Sequence, residues 1–306
     1  MNAPLWAPSA QRAAESSIDI FRRAVAEARS LDIADTDALH RWSITDPAAF
    51  WSEVWDRAGI IGDKGHQVLR RGASMPDAVF FPDARLSVVE NLLDGRGASD
   101  DAPAIEYRRE DGLHRTITWS ELRAEAAAFG AALSAMGVGV GDRVAAWMPH
   151  MPETVIAMLG AASIGAVFTS TSADFGVAGV VDRFGQVEPK VLVAADGYLY
   201  GGTEFGRTDQ LREIVGQLPT VQKVVVVPNL GDPDISEVHN GLVWEAFVGP
   251  HRGALLSVER FAFDHPHYIL YSSGTTGKPK CMVHKTGGVL IKHVQEQRHH
   301  LDIRAG

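Results

Sequence analysis

The stretch HYILYSSGTTGKPK, residues 267–280, runs from an apolar, strand-like segment directly into hydroxyls, glycines and lysines. Gly274 and Gly277 let the backbone approach a ligand closely and expose its N–H groups. The loop carries further donors on Ser272, Ser273, Thr275, Thr276, Lys278 and Lys280. Such donors after a buried strand favour a loop that binds an anion; the alternative is a solvated hairpin loop.

This loop differs from the Walker A phosphate loop. That pattern places four residues between its two glycines and a Ser or Thr after its lysine. Here only two residues separate Gly274 from Gly277, and Pro279 follows Lys278. An ordinary P-loop kinase or ATPase is therefore disfavoured.

Strands alternate with helices upstream of the loop. The strand segments are rich in Val and Ala and lie at 143–148, 166–171, 190–195 and 223–228, with helical segments between them. Near-continuous apolar strands are typical of a parallel sheet that helices cover on both faces. A T-x-x-E capping box at Thr118 and Glu121 opens the helix that precedes the first of these strands. The sequence predicts a layered α/β fold with mainly parallel sheets flanked by helices.

The first 95 residues read differently. Their composition is helical, and Phe50, Trp51, Val54 and Trp55 form one apolar stripe at helical spacing. We expect a helical extension over residues 1–95, docked on a main domain that begins at residue 96.

Composition narrows the classes of function. The 306 residues carry 29 Lys and Arg against 38 Asp and Glu, a net charge of −9, which disfavours a general nucleic-acid surface. The single cysteine, Cys281, excludes an internal disulfide and a cysteine-rich zinc site, and we expect a cytoplasmic location. The start of the chain lacks a signal-peptide pattern. The apolar run 155–168 is too short for a bilayer span, so we expect no membrane partner.

The loop YSSGTTGKPK, residues 271–280, resembles the signature of the adenylate-forming enzymes, the superfamily of acyl-CoA synthetases, luciferases and peptide-synthetase adenylation domains. Within that superfamily, three stretches are similar to the acetoacetyl-CoA synthetases: FWSEVWDRAGI at 50–60, residues 168–202, and LYSSGTTGKPKCMVHKTGG at 270–288. The resemblance covers nearly all of residues 40–306.

The resemblance implies an acid–thiol ligase that uses ATP, Mg²⁺ and coenzyme A. Acetoacetate would attack the α-phosphorus of ATP, and coenzyme A would then take the acyl group from the adenylate. Residues Ser272 to Lys280 would hold the ATP phosphates, with Lys280 orienting the triphosphate. An acetyl-CoA or other short-chain acyl-CoA synthetase, and a non-catalytic nucleotide-binding fragment, remain alternatives. Oligomeric state stays open.

Two features of the family pattern are expected to be missing or altered. Members run to 500–650 residues as a family property, so residues 96–306 would be a partial adenylation domain, without the C-terminal domain and with an incomplete active site. Where acetyl-CoA synthetase has an arginine that contacts coenzyme A, this chain has GYLYGG, so Tyr198 and Tyr200 are candidates for that contact, and the alternative is a surface loop.

Other reactive residues are expected to be structural. The group His293, Glu296, His299 and His300 has helical spacing, but we expect a solvated or core-edge histidine face rather than a metal site. Arg183 is expected to be a helix residue that pairs with a carboxylate. Cys281 is expected to be a small buried core residue.

Overall fold

The helices and strands were assigned in a computed structural model that describes residues 5–272 and 277–304, apart from the side chain of Arg96. The α-helices are α1 (Ala10–Ala14), α2 (Ser17–Arg29), α3 (Thr36–Thr45), α4 (Pro47–Ala58), α5 (Val88–Leu93), α6 (Trp119–Ala135), α7 (Pro152–Ser163), α8 (Val177–Val187), α9 (Thr208–Gly216), α10 (Trp244–Val248) and α11 (Thr286–Gln295). Short 3-10 turns lie at Met75–Asp77, Gly95–Gly97 and Gly249–His251, and a π-helical turn at Glu296–His300.

The strands are β1 (Gly62–Asp63), β2 (Leu69–Arg70), β3 (Val79–Phe80), β4 (Arg85–Leu86), β5 (Pro103–Arg108), β6 (His114–Thr118), β7 (Arg143–Met148), β8 (Val167–Ser172), β9 (Val191–Ala195), β10 (Gly197–Tyr200), β11 (Thr203–Gly206), β12 (Lys223–Val227), β13 (Gly241–Val243), β14 (Phe261–Ala262), β15 (Pro266–Ser272) and β16 (Lys280–Lys285).

The described residues divide into two compact units. One unit gathers those of residues 1–86, 262–264 and 286–306. The other gathers those of residues 87–261 and 265–285, and it contains the strands that the sequence predicts to be parallel.

A seven-stranded sheet organises the second unit. Its strand order is β13-β12-β9-β7-β8-β15-β16, and every neighbouring pair is parallel except β15 with β16. The predicted layered α/β fold with a mainly parallel sheet is therefore confirmed.

Helices cover both faces of this sheet. Val144 and Ala146 of β7 pack in the cluster that holds Phe129 of α6 and Trp244 of α10, whose rings stack at 5.1 Å. The alternate residues Ala145 and Trp147 belong to a second cluster, with α8 and α9. Because both faces are buried, β7 after Arg143 and its parallel neighbour β9 read as continuous apolar runs.

The helix α6 begins as its sequence predicts. Thr118 accepts a hydrogen bond from the Glu121 backbone N–H, while the Glu121 carboxylate accepts one from the Thr118 backbone N–H. This reciprocal capping box satisfies two of the donors that a helix start leaves open. The two strands before it, β5 and β6, pair as an antiparallel hairpin.

Aromatic packing holds the first unit together. Trp55 of α4 is buried, and its ring lies 5.0 Å from that of Phe81, which in turn lies 5.0 Å from that of Phe263. The apolar stripe on α4 thus forms part of the core of this unit, with Phe50 and Val54 also buried.

Cys281 contradicts its predicted burial. It lies on β16, the last strand of the seven-stranded sheet, and is exposed. Met282 and Val283 beside it are exposed as well. A strand with a single neighbour lacks the cover that a central strand has, so its apolar sequence alone led to the wrong prediction.

Candidate nucleotide-binding site

The predicted phosphate loop emerges at the carboxyl edge of the parallel strands. β15 runs parallel to β8, with Tyr268 opposite Phe168, and β8 runs parallel to β7. In the sheet, β8 lies on one side of β7 and β9 lies on the other. The chain therefore reverses its direction across the sheet after β8. In open α/β sheets, ligands bind beyond the carboxyl ends of strands at such a reversal.

At the base of the loop, a residue with a hydroxyl group and one with an ammonium group lie opposite each other on paired strands. Ser272 at the end of β15 is opposite Lys280 at the start of antiparallel β16. Gly277 has φ +95°, a backbone conformation that favours glycine, and a Cβ placed there would meet open space. Ser273, Gly274, Thr275 and Thr276 lie outside the described residues, so their predicted phosphate contacts stay predictions.

Tyr271 holds the first limb of the loop, which is the end of β15. Its hydroxyl lies 2.9 Å from Thr169 Oγ1, which also donates to the carbonyl oxygen of Ile269 at 2.8 Å. Burial raises the pKa of Tyr271 to about 12, so the phenol stays protonated at neutral pH. This tyrosine is a structural support for the loop.

The helix α8 contacts the second limb of the loop, residues 277–279. Gln186 Nε2 donates to the carbonyl oxygen of Pro279 at 2.9 Å, and Lys278 Nζ lies 3.9 Å from Asp182 Oδ1. Lys278 and Lys280 are both exposed, so their ammonium groups are open to a ligand.

Arg183 of α8 has partners other than the predicted carboxylate. Its guanidinium carbon lies 4.2 Å from the centre of the Phe175 ring and 5.9 Å from that of Tyr271. It also donates to the carbonyl oxygen of Gly179 at 2.7 Å. The aromatic rings at the carboxyl edge provide cation–π contacts that helix spacing alone does not indicate.

Tyr198 and Tyr200 lie on a hairpin formed by β10 and β11. The Tyr198 ring stacks on that of Phe205 at 5.1 Å, and its hydroxyl accepts a hydrogen bond from Arg207 at 2.9 Å. Tyr200 is 73% exposed. The two tyrosines therefore differ: one is held by the hairpin and the other is free to meet a ligand.

A cavity of about 200 Å³ opens beside this hairpin. It is lined by Tyr107, Arg108, Arg109, Glu110, Pro149, His150, Tyr198, Leu199 and Asn229. Arg109 already has partners within the protein, since it pairs with Asp111 at 2.6 Å and donates to Asn229 Oδ1 at 3.1 Å. Arg108 and His150 are exposed, so the rim carries cationic and titratable groups that face solvent.

The histidine-rich segment belongs to the first unit. The ring of His299 lies 4.4 Å from that of Phe21, and burial lowers the His299 pKa to about 4. His300 Nε2 lies 2.6 Å from Gln295 Nε2, while Glu296 pairs with Lys292 at 2.6 Å. Within residues 5–272 and 277–304, no cluster of His, Cys, Asp or Glu is arranged to hold a metal ion.

Among the described residues, no helix combines the length and the apolar character needed to cross a bilayer.

Sequence patterns of known families match most of the chain. The pattern of the AMP-binding enzymes matches residues 96–304. The chain belongs to the AMP-binding enzyme family. A second pattern of that kind, the N-terminus of acetyl-coenzyme A synthetase, matches residues 36–92. The predicted membership of the adenylate-forming enzymes is thereby confirmed.

Individual members of the family are similar over the whole chain. Acetoacetyl-coenzyme A synthetase of Rhizobium meliloti (strain 1021) is 43% identical over 99% of this chain and 46% of its own length. Acetoacetyl-CoA synthetase of Rattus norvegicus is 39% identical over 95% of the chain and 44% of its own length. The solved structure of acetoacetyl-CoA synthetase from Streptomyces lividans matches with a TM-score of 0.92 and 39% identity, covering 100% of this chain and 47% of that one. The chain thus spans about half the length of the relatives it matches.

Sequence reasoning missed several residues around the site. Asp182, Gln186 and Thr169 contact loop residues about 90 to 100 positions away, and no local pattern indicates such partners. The β10–β11 hairpin did leave a signal, because alternating aromatic residues flank the turn Gly201–Gly202.

Proposed function

We propose that this chain is the N-terminal part of an ATP-dependent acid–thiol ligase. The reaction is acetoacetate + ATP + CoA to acetoacetyl-CoA + AMP + pyrophosphate. The observation that carries the proposal is the hairpin loop between Ser272 and Lys280, at the carboxyl edge of a parallel sheet and in a sequence similar to acetoacetyl-CoA synthetases.

The loop suits a triphosphate on chemical grounds. A carboxylate and a triphosphate repel each other, so positioning and charge neutralisation must supply most of the rate gain. Lys278 and Lys280 provide two exposed cations, and Gly277 provides backbone that can approach closely. Charge-assisted hydrogen bonds of this kind contribute about 1.5–3 kcal/mol each. Mg²⁺ bound with ATP would neutralise further charge on the phosphates.

Coenzyme A is proposed to approach the β10–β11 hairpin. Tyr198 lines the cavity that also includes Arg108 and His150, and Tyr200 is exposed on the same hairpin. An exposed guanidinium group, that of Arg108, beside aromatic rings suits a phosphorylated adenosine, which offers an anion and a flat base.

The 306 residues on their own are proposed to hold part of the site and to be inactive. The phosphate loop is within them, whereas relatives are about twice as long. The second candidate is a fragment that binds nucleotide without catalysis. It rests on the same observation, that the chain spans about half the length of its relatives. The single cysteine supports a reducing compartment, and we propose the cytoplasm.

The deciding experiment is ATP–pyrophosphate exchange by the full-length protein. Acetoacetate should drive exchange well above the rates with acetate and longer acids. Exchange with acetate or a longer acid, but none with acetoacetate, contradicts the proposed substrate. Calorimetric titration of the 306-residue chain with ATP tests the partial site, and micromolar binding contradicts it.

A further inference from the structure

One face of α8 contacts two consecutive residues of the loop. Asp182 and Gln186 are four residues apart, so their side chains lie on the same side of the helix. Lys278 Nζ lies 3.9 Å from the Asp182 carboxylate, and Gln186 Nε2 lies 2.9 Å from the carbonyl oxygen of Pro279. Both contacts come immediately before Lys280.

The two limbs of the loop are held by different means. The first ends in Tyr271, a half-buried side chain with a hydroxyl contact to Thr169 and a ring 6.4 Å from that of Phe184. The second consists of exposed Gly277 and Lys278 followed by half-buried Pro279. It contacts α8 through the Lys278 side chain and through the backbone carbonyl of Pro279.

Pro279 makes the contact with Gln186 important. Proline lacks an N–H group and cannot donate a hydrogen bond from this limb, so its carbonyl oxygen is the polar atom it offers. That oxygen accepts from Gln186 at 2.9 Å. The next residue, Lys280, enters the strand pair opposite Ser272.

The Gln186 side chain is held by its own helix as well as by the loop. Its Nε2 also donates to the carbonyl oxygen of Asp182, one turn earlier, at 2.6 Å. A primary amide has two N–H donors, and the two carbonyl oxygens use both. The side chain is thus held between its own helix and the loop.

We propose that Gln186 is a positioning residue for the phosphate loop: by holding the Pro279 carbonyl, it sets where Lys280 meets the triphosphate of ATP. The inference rests on the proposed function of the loop. A cation that must meet a developing charge acts only when held in place, and small displacements lower the rate.

Two substitutions test the donor. Gln186→Leu keeps a helix-forming side chain and removes the donor, whereas Gln186→Lys keeps a donor that reaches the carbonyl oxygen. In ATP–pyrophosphate exchange by the full-length protein, we expect Gln186→Leu to lower kcat/KM for ATP about 3- to 10-fold, the worth of one hydrogen bond. The KM for acetoacetate should stay unchanged, and Gln186→Lys should recover most of the loss.

The chain offers a matched control. Gln217 is exposed at the end of α9 and donates to the carbonyl oxygen of Glu213, four residues earlier, at 3.4 Å. It reproduces the local contact of Gln186 without the loop. Gln217→Leu should leave exchange unchanged, and all three variants should keep the wild-type melting temperature.

The Gln186→Leu substitution separates the loss of a donor from a change of charge. Leucine and glutamine are both neutral, so wild-type kinetics in Gln186→Leu overturn the inference. Equal losses in Gln186→Leu and Gln186→Lys, or a parallel rise in the KM for acetoacetate, overturn it as well.

A titration independent of turnover keeps the inference testable. Magnesium tripolyphosphate is titrated into the full-length protein, and Gln186→Leu should bind it about 3- to 10-fold more weakly than wild type. Equal binding overturns the inference. If the wild-type full-length protein shows no exchange with any acid, the proposed function fails, and this titration still decides the role of Gln186.

Discussion

The ammonium group of Lys278 lies 3.9 Å from the carboxylate of Asp182, across the space between the phosphate loop and α8. Both side chains are exposed, at 73% and 46%. A surface ion pair of this kind contributes only about 0.2–1 kcal/mol. A weak pair of this kind leaves Lys278 available to a stronger anion, so we expect Asp182 to compete with a bound phosphate for that cation.

Removing this competition should strengthen nucleotide binding. We expect Asp182→Asn to lower the KM for ATP about twofold, because the substitution removes a charge contact of well under 1 kcal/mol. The effect should shrink as salt is raised, since screening weakens exposed pairs. ATP–pyrophosphate exchange at low and high salt measures both. Asp209→Asn, which removes one of the two carboxylate partners of Arg212 on α9, is the control. A higher KM for ATP in Asp182→Asn contradicts the prediction.

The two tyrosines of the β10–β11 hairpin should respond differently to truncation. Tyr200 is 73% exposed, so Tyr200→Ala should leave the melting temperature unchanged and raise the KM for coenzyme A about 3- to 10-fold. Tyr198→Ala removes the stack on Phe205 and the contact with Arg207, so it should also lower the melting temperature. Steady-state kinetics and thermal unfolding measure these effects. An unchanged KM for coenzyme A in both variants removes the hairpin from the proposed site.

Acid should destabilise the first unit through His299. Burial lowers the pKa of His299 to about 4 from its ordinary value of 6.5, so the unfolded chain binds more protons between these values. The stabilising contribution is present above pH 6.5 and is lost as the pH falls toward 4. Thermal unfolding from pH 7 to 4 measures the loss. His299→Phe keeps a ring against Phe21 and removes the titration, so its melting temperature should fall less steeply. Parallel curves for the two proteins exclude this role.

Local patterns predicted the elements whose burial is uniform. β7 and β9 have neighbours on both sides and helices on both faces, so their sequences are apolar throughout and indicate parallel strands. The cap at Thr118 was predictable because its partner Glu121 is three residues away. These features depend on residues that are close in sequence.

The remaining features depend on contacts between distant residues. Cys281 is exposed because β16 ends the strand order, and strand order is set by long-range pairing. Gln186 meets Pro279 across 93 residues, so neither local sequence indicates the contact. The loop itself was found because its glycines, hydroxyls and lysines are adjacent. The residues on α8 and β8 that contact the loop could be identified only from the fold.

Lys280 provides the sharpest test of the loop's chemistry. It is exposed at the start of β16, opposite Ser272, and we expect its ammonium group to contact a bound triphosphate. In the full-length protein, Lys280→Ala should slow adenylation about 10- to 100-fold, the loss expected for one charge-assisted hydrogen bond. Thioester formation from preformed acetoacetyl-adenylate should change little, because pyrophosphate has left by then and the adenylate carries a single phosphate. ATP–pyrophosphate exchange measures the first half-reaction, and single-turnover capture by coenzyme A measures the second. Equal slowing of both half-reactions contradicts a role for Lys280 in orienting the triphosphate.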